Sequence, residues 1–214
     1  VHYRAIAGAD RKLASNDLLL LDSGGHYQDG TTDITRSIAI GAPPKGAVAA
    51  YSHVLQSHIQ LAMAKFPAGT NGKQLDAIAR APLWAVGLDF AHGTGHGVGH
   101  VLSVHEGPAS ISKRGEVALE AGMVLSNEPG YYQTGDWGIR IENLIVVTPA
   151  KQTGFLEFET ITLCPLDRRL IDKTRLDAGE IDWIDRYHRA VYEQLHPHLS
   201  PMAKLWLKAV CRQL

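Results

Sequence analysis

Leu18-Leu19-Leu20-Leu21-Asp22, then Ser23-Gly24-Gly25, then Thr31-Thr32-Asp33-Ile34-Thr35-Arg36-Ser37-Ile38-Ala39-Ile40: two runs of strand-forming residues flank a turn-rich centre. The pair reads as two antiparallel strands joined by a hairpin-like turn, with Asp29-Gly30 as further turn chemistry. Asp22 and Asp33 stand eleven residues apart on opposite sides of the turn, so strand pairing can bring both carboxylates to one spot. Taken singly, an Asp beside Gly or Thr is ordinary turn chemistry.

Downstream, Val48, Tyr51, Leu55, Ile59 and Ala62 recur at helical spacing within Gly46 to Phe66. A second amphipathic helix is expected over Leu75 to Val86, with Pro82 as its end or kink. From Met123 to Leu163, β-branched and apolar runs alternate with Gly/Pro turns and predict a mainly antiparallel sheet. After Pro165 charged helix formers take over, giving helices over Asp177 to Leu195 and Pro201 to Leu214, the latter capped by Ser200. The fold class is therefore α+β, with residues 1–165 as the main domain and 166–214 as a helical extension that packs on it.

With 45% hydrophobic and 20% charged side chains, 214 residues can bury one substantial core. The 21 basic and 22 acidic residues form no long single-sign run, which argues against nucleic acid or anionic lipid as partner. No apolar stretch reaches the roughly 20 residues a membrane helix needs. Cys164 and Cys211 show neither close pairing nor zinc-finger spacing, which suits a reducing compartment, the cytoplasm by default.

Histidine is enriched, eleven in all, and four lie in the Gly-rich stretch between Ala91 and Glu106. In His92-Gly93-Thr94-Gly95-His96-Gly97-Val98-Gly99-His100 the alternating glycines let the backbone come close to a site, and imidazole is the only large polar group. Glu128 precedes Pro129-Gly130 at a strand end, and Glu142 sits in the apolar run Ile139 to Val147, where a lone carboxylate is costly to bury. Four converging carboxylates would repel one another and take up protons unless cations balanced them. Two divalent ions, held by Asp22, Asp33, His96, Glu128 and Glu142, account for the set. Carboxylate and imidazole without thiolate favour manganese, cobalt, zinc or iron over calcium. A pair about 3.5–4 Å apart would hold a bridging hydroxide as nucleophile.

These segments, together with Val104-His105-Glu106-Gly107, Asn127-Glu128-Pro129-Gly130-Tyr131 and Arg140-Ile141-Glu142-Asn143, resemble aminopeptidase P, the Xaa-Pro aminopeptidase family, over nearly the whole chain. The resemblance implies a pita-bread fold and a dinuclear centre, usually of manganese. It also implies hydrolysis of the bond between an N-terminal residue and a following proline. Asp22 would ligate one metal, Asp33 and Glu142 would bridge, and His96 with Glu128 would complete the other. Glu128 would shuttle the proton, and His92 and His105 would steady the substrate carbonyl. His2 would stand at the imino-acid side, and Arg140 and Tyr131 would hold the ligands from behind. The family's homodimer is expected of the full-length parent. Family members carry further elements and domains upstream, so the resemblance is to a C-terminal portion, expected to bind metal weakly and cleave poorly alone.

Two alternatives stay open: a prolidase acting on Xaa-Pro dipeptides with the same ligands, and a metal-free binding module of the same fold. His26, His53, His58, His188, His196 and His198 read as structural or solvated, and His100 as exposed.

Overall fold

The computed structural model describes residues 6–8 and 10–214. Its hairpin is β1 (Asp17–Tyr27) and β2 (Gly30–Ile40), paired antiparallel over the full length of both strands. The reversal falls at Gln28-Asp29, not at Ser23-Gly24-Gly25, which lies within β1. A Cβ on Gly24 would come 2.7 Å from the Thr32 carbonyl oxygen, so that glycine serves close strand approach and not chain reversal.

Helix α1 (Ala47–Ala62) starts at Gly46, whose φ of 83° suits only glycine, and ends before Phe66, which belongs to β3 (Lys65–Pro67). Asn71 caps α2 (Gly72–Trp84) through a reciprocal pair with Gln74. Pro82 lies inside the helix, two residues from its end, where the one donor it removes belongs to the last turn. Short strands follow: β4 (Gly95–His96), β5 (Ser110–Ile111), β6 (Val124–Asn127), β7 (Gly130–Tyr132), β8 (Gly138–Arg140), β9 (Asn143–Pro149) and β10 (Phe155–Thr160).

A four-stranded antiparallel sheet runs β3-β10-β9-β6, and β4-β5 and β7-β8 form two-stranded pairs. The apolar run from Ile139 to Val147 is therefore two strands with different partners, and Glu142 sits at the break between them. Ser37 ties β2 to β8: its hydroxyl donates to the Arg140 carbonyl and accepts from the Arg140 N–H, each at 3.1 Å.

The C-terminal region holds α3 (Ala178–Leu195), capped by an Asp177/Glu180 pair, and α4 (Pro201–Val210), capped by Ser200. The second helix stops four residues short of the expected Leu214. Trp183, Ile184, Tyr187, Val191 and Leu207 share one buried cluster with Tyr51, Leu55 and Ile59 of α1 and Ile139 and Ile141 of the sheet region. A second cluster packs Leu75 and Ala79 of α2 against Leu125, Ile145, Val147 and Phe158. No helix among the described residues is long and apolar enough to cross a membrane.

Candidate metal centre

Register decides which hairpin side chains meet. Asp22 pairs with Thr35 and Gly24 with Asp33, so Asp22, Asp33 and Thr35 share one face of the hairpin. The break between β8 and β9 delivers Glu142 to that face, anchored by its own N–H to the Thr35 carbonyl at 3.1 Å. Thr35 Oγ1 also donates to Glu142 Oε2 at 2.6 Å.

The other half comes from β4 and the end of β6. A Cβ on Gly95 would land 1.9 Å from the Ser126 carbonyl oxygen, and one on Gly97 2.2 Å from that of Glu106. The alternating glycines thus admit neighbouring backbone, which presses His96 toward Glu128. Ser126 Oγ accepts from the His96 N–H at 3.0 Å and donates to Glu128 Oε1 at 3.1 Å, while the Glu128 N–H reaches the Thr94 carbonyl at 2.7 Å. Arg80 of α2 fastens this loop from below: it pairs with Asp76 and donates to the carbonyls of Phe90 and His92, and Asp76 accepts from Thr94 Oγ1.

Three overlapping groups have potential ligand atoms within 4.8 Å of one another: Asp22 with Asp33 and Glu142, His96 with Glu128 and Glu142, and Asp33 with His96 and His105. Glu142 and Asp33 each occur on both sides. The cleft over them, about 340 Å³, is lined by Asp22, Asp33, Glu128, Glu142, His26 and His105 among others.

His96 tests whether these residues fit a cation. Its Nδ1 faces the Gly97 carbonyl at 2.9 Å and so takes the donor role there. Its Nε2 is buried without a hydrogen-bond partner, 3.5 Å from Asp33 Oδ2 and 3.2 Å from Glu128 Oε1. An imidazole nitrogen facing two carboxylates needs a positive charge between them, either a proton or a metal. Burial opposes a charged ring, but Asp33 and Glu128 prevail and push His96 up to about 10. Burial, then the charges of Glu128 and Asp33, push Glu142 up to about 8. Without a metal the cluster holds protons, and divalent ions fit in their place.

Arg140 stands behind the carboxylates. Its guanidinium donates to Asp22 at 2.6 Å, Thr35 Oγ1 at 3.1 Å and the Tyr132 hydroxyl at 3.1 Å. Tyr131, expected beside it, faces away: its hydroxyl donates to Gln133 and its ring meets Trp137. Tyr132 occupies that place and bonds His92 Nε2 at 2.8 Å. Strand parity holds the signal that would have found it, because Glu128, Gly130 and Tyr132 alternate by two; Thr35, two residues from Asp33, is legible the same way. His92 donates from Nδ1 to the Gly93 carbonyl and bonds Tyr132 through Nε2, behind the residues that line the cleft, and burial lowers its pKa. The exposed His105 stacks edge-on to His96, with ring centroids 4.0 Å apart. His2 lies outside the described residues.

A model of metallopeptidase family M24 matches residues 1–149, and one for the C-terminal region of peptidase M24 matches residues 154–214. The Xaa-Pro aminopeptidase app-1 of Caenorhabditis elegans is 44% identical over 100% of this chain, and aminopeptidase P1 of Arabidopsis thaliana 44% identical over 97%. The chain spans 36% and 34% of their lengths, about a third. The crystal structure of X-prolyl aminopeptidase from Caenorhabditis elegans, described as a cytosolic enzyme with a di-nuclear active site, covers 100% of the chain at a TM-score of 0.94 and 44% identity, and the chain covers 36% of it. Prolidase from Pyrococcus furiosus covers 71% at a TM-score of 0.63 and 32% identity, with 43% of its own chain matched.

Proposed function

This chain belongs to metallopeptidase family M24, and from that premise we propose that it is the catalytic part of a dinuclear metalloaminopeptidase that removes an N-terminal residue preceding proline. The α+β pita-bread fold and the family resemblance read from the motifs agree with that membership. The observation that carries the reading is the overlap of the ligand groups, in which Asp33 and Glu142 are common to both sides of one cleft.

In this reading Asp22, Asp33, His96, Glu128 and Glu142 would hold the two ions, Asp22 on one side of the cleft, His96 with Glu128 on the other and Asp33 and Glu142 shared. Bound there, the pair, manganese by preference with cobalt, zinc or iron as alternatives, would supply Lewis-acid polarisation of the scissile carbonyl and would acidify water toward neutral pH. Glu128 accepts a proton from the attacking water and returns it to the proline nitrogen that leaves; Ser126 Oγ keeps its Oε1 oriented meanwhile. His105, on the cleft wall, steadies the substrate carbonyl and His2 completes the substrate side, while His92, with both ring nitrogens engaged, acts from behind the cleft through Tyr132. Arg140 holds the Asp22 carboxylate in place through its hydrogen bond, and Tyr132 links Arg140 to His92. Residues 1–165 carry this chemistry and 166–214 form the extension. Cytoplasmic location and a homodimer of the full-length protein belong to the same reading.

The Caenorhabditis elegans aminopeptidase is 44% identical over the whole chain and the prolidase 32% over 71% of it, and that greater likeness supports the aminopeptidase reading. The test is turnover by the intact protein of Xaa-Pro-Xaa tripeptides against Xaa-Pro dipeptides. Preference for tripeptides is expected; strong preference for dipeptides would make it a prolidase, and failure to bind any divalent metal would make it a binding module.

A further inference from the structure

Arg36 is 5% exposed, yet among the described residues none of its hydrogen-bond partners is a carboxylate. A buried cation without a counter-charge is costly unless every donor is satisfied, and here neutral acceptors surround it. On one side Nη1 donates to the carbonyls of Thr35 at 2.9 Å and Glu142 at 2.6 Å, and Nη2 to Asn143 Oδ1 at 2.7 Å. On the other, Nε reaches the Pro165 carbonyl at 3.1 Å, and Nη2 the Cys164 carbonyl at 2.8 Å and the Tyr187 hydroxyl at 2.9 Å. The first group belongs to the two segments that present Asp33 and Glu142. The second belongs to Cys164 and Pro165, which follow β10, and to α3, all within the residues 154–214 that match the C-terminal region of peptidase M24.

Tyr187 is the fixed point of that second group. Its ring stacks on Trp183 with centroids 5.2 Å apart and planes 9° from parallel. Its hydroxyl donates to the Cys164 carbonyl at 2.8 Å while it accepts from Arg36. A planar guanidinium held at both edges works as a rigid spacer, which a flexible ammonium could not.

We propose that the C-terminal region serves the metal centre through Arg36. Tyr187 and the carbonyls of Cys164 and Pro165 form a socket that fixes the guanidinium, and the guanidinium, bonded to the Thr35 and Glu142 carbonyls, braces β2, which presents Asp33, against the β8–β9 break, which presents Glu142. Arg36 and Tyr187 are positioning residues, and the inference rests on the dinuclear reading of the site. Without the socket the chain still folds around its cores, but Asp33 and Glu142 lose their fixed separation and must be ordered by the ions themselves, which weakens binding.

The test uses the intact protein stripped of metal and titrated with manganese(II), with binding followed by equilibrium dialysis and by the paramagnetic signature of a coupled pair. Tyr187→Phe, which removes one hydroxyl, is expected to bind the second equivalent about tenfold more weakly. Its KM for a tripeptide should be little changed, and its kcat should recover in excess manganese. Arg36→Lys should show a larger loss; should it fail to fold, Tyr187→Phe still decides. Val191→Ala, a cavity one turn from Tyr187 in the same helix at a residue that makes no bond to Arg36, serves as the stability control and should bind as wild type. The inference is overturned if Tyr187→Phe binds both equivalents as tightly as wild type, or if Val191→Ala weakens binding as much at equal loss of stability. A wild-type protein that binds fewer than two ions would instead overturn the dinuclear reading, and the inference with it.

Discussion

Glu142 is 2% exposed in a pocket shared with three other acidic side chains, and its protonation is the most direct expression of the site's charge balance. Pushed up to about 8, it holds a proton at neutral pH, as does His96 at about 10. Metal ions must displace both, so loading at pH 7 is expected to release about two protons per chain and to weaken steadily as pH falls. Calorimetry in buffers of different ionisation enthalpy measures the release, and loading without it would contradict this charge assignment. The adjacent tyrosines give a second contrast: Tyr132→Phe, which unlinks His92 from Arg140, is expected to cut kcat at least tenfold, and Tyr131→Phe to leave it unchanged. Equal effects in a tripeptide assay would argue against the Tyr132 link. The candidate ligands were legible from sequence because a carboxylate in an apolar run and a histidine among glycines are anomalies of composition. Tyr132 was not, because a pair of identical residues reveals its facing only once strand parity is fixed.

At the scale of elements, close backbone contact does the positioning. Gly95→Ala would force a methyl into the Ser126 carbonyl, so β4 must move away from β6 and take His96 with it. Roughly 1–3 kcal/mol of stability should be lost, together with metal binding. Denaturant midpoints and manganese dialysis check both, and an alanine variant of wild-type stability would show that the strands have slack. The start of the last helix was readable from Ser200-Pro201, whereas α2 begins at Gly72, three residues before the expected Leu75, because the Asn71–Gln74 capping pair extends it ahead of its first apolar residue. The hairpin was readable too, but its turn was placed too early, because Gly24 and Gly25 carry the composition of a turn while serving strand approach. The split between β8 and β9 was hidden, since one unbroken apolar run takes two partners and only tertiary pairing divides it.

Across the whole molecule, one core joins the sheet region to the C-terminal helices, and two buried histidines lie along that junction. His58 accepts from Asn143 Nδ2 and His188 from the Leu166 N–H, so both are neutral in the folded chain. Burial first, then nearby arginines, lowers His58 from 6.5 to about 3 and His188 from 6.5 to about 4. Below pH 6.5 the unfolded chain takes up protons that the folded chain refuses, so stability present above 6.5 is lost as pH falls toward 3. Urea unfolding of the metal-free intact protein should follow that slope, and His188→Gln should flatten it by about one proton between pH 6.5 and 4. An unchanged slope would mean that His188 is charged in the fold. The extension was expected to pack on the main domain, but its grip on Arg36 was invisible in sequence, since Tyr187 lies 151 positions away. The metal stoichiometry of catalysis decides whether the proposed centre works as a pair of ions. The intact protein, stripped of metal and given manganese in steps, should begin to cleave an Xaa-Pro-Xaa tripeptide only as the second equivalent per chain binds. Full cleavage with one ion or none, or no cleavage with two bound, would contradict it.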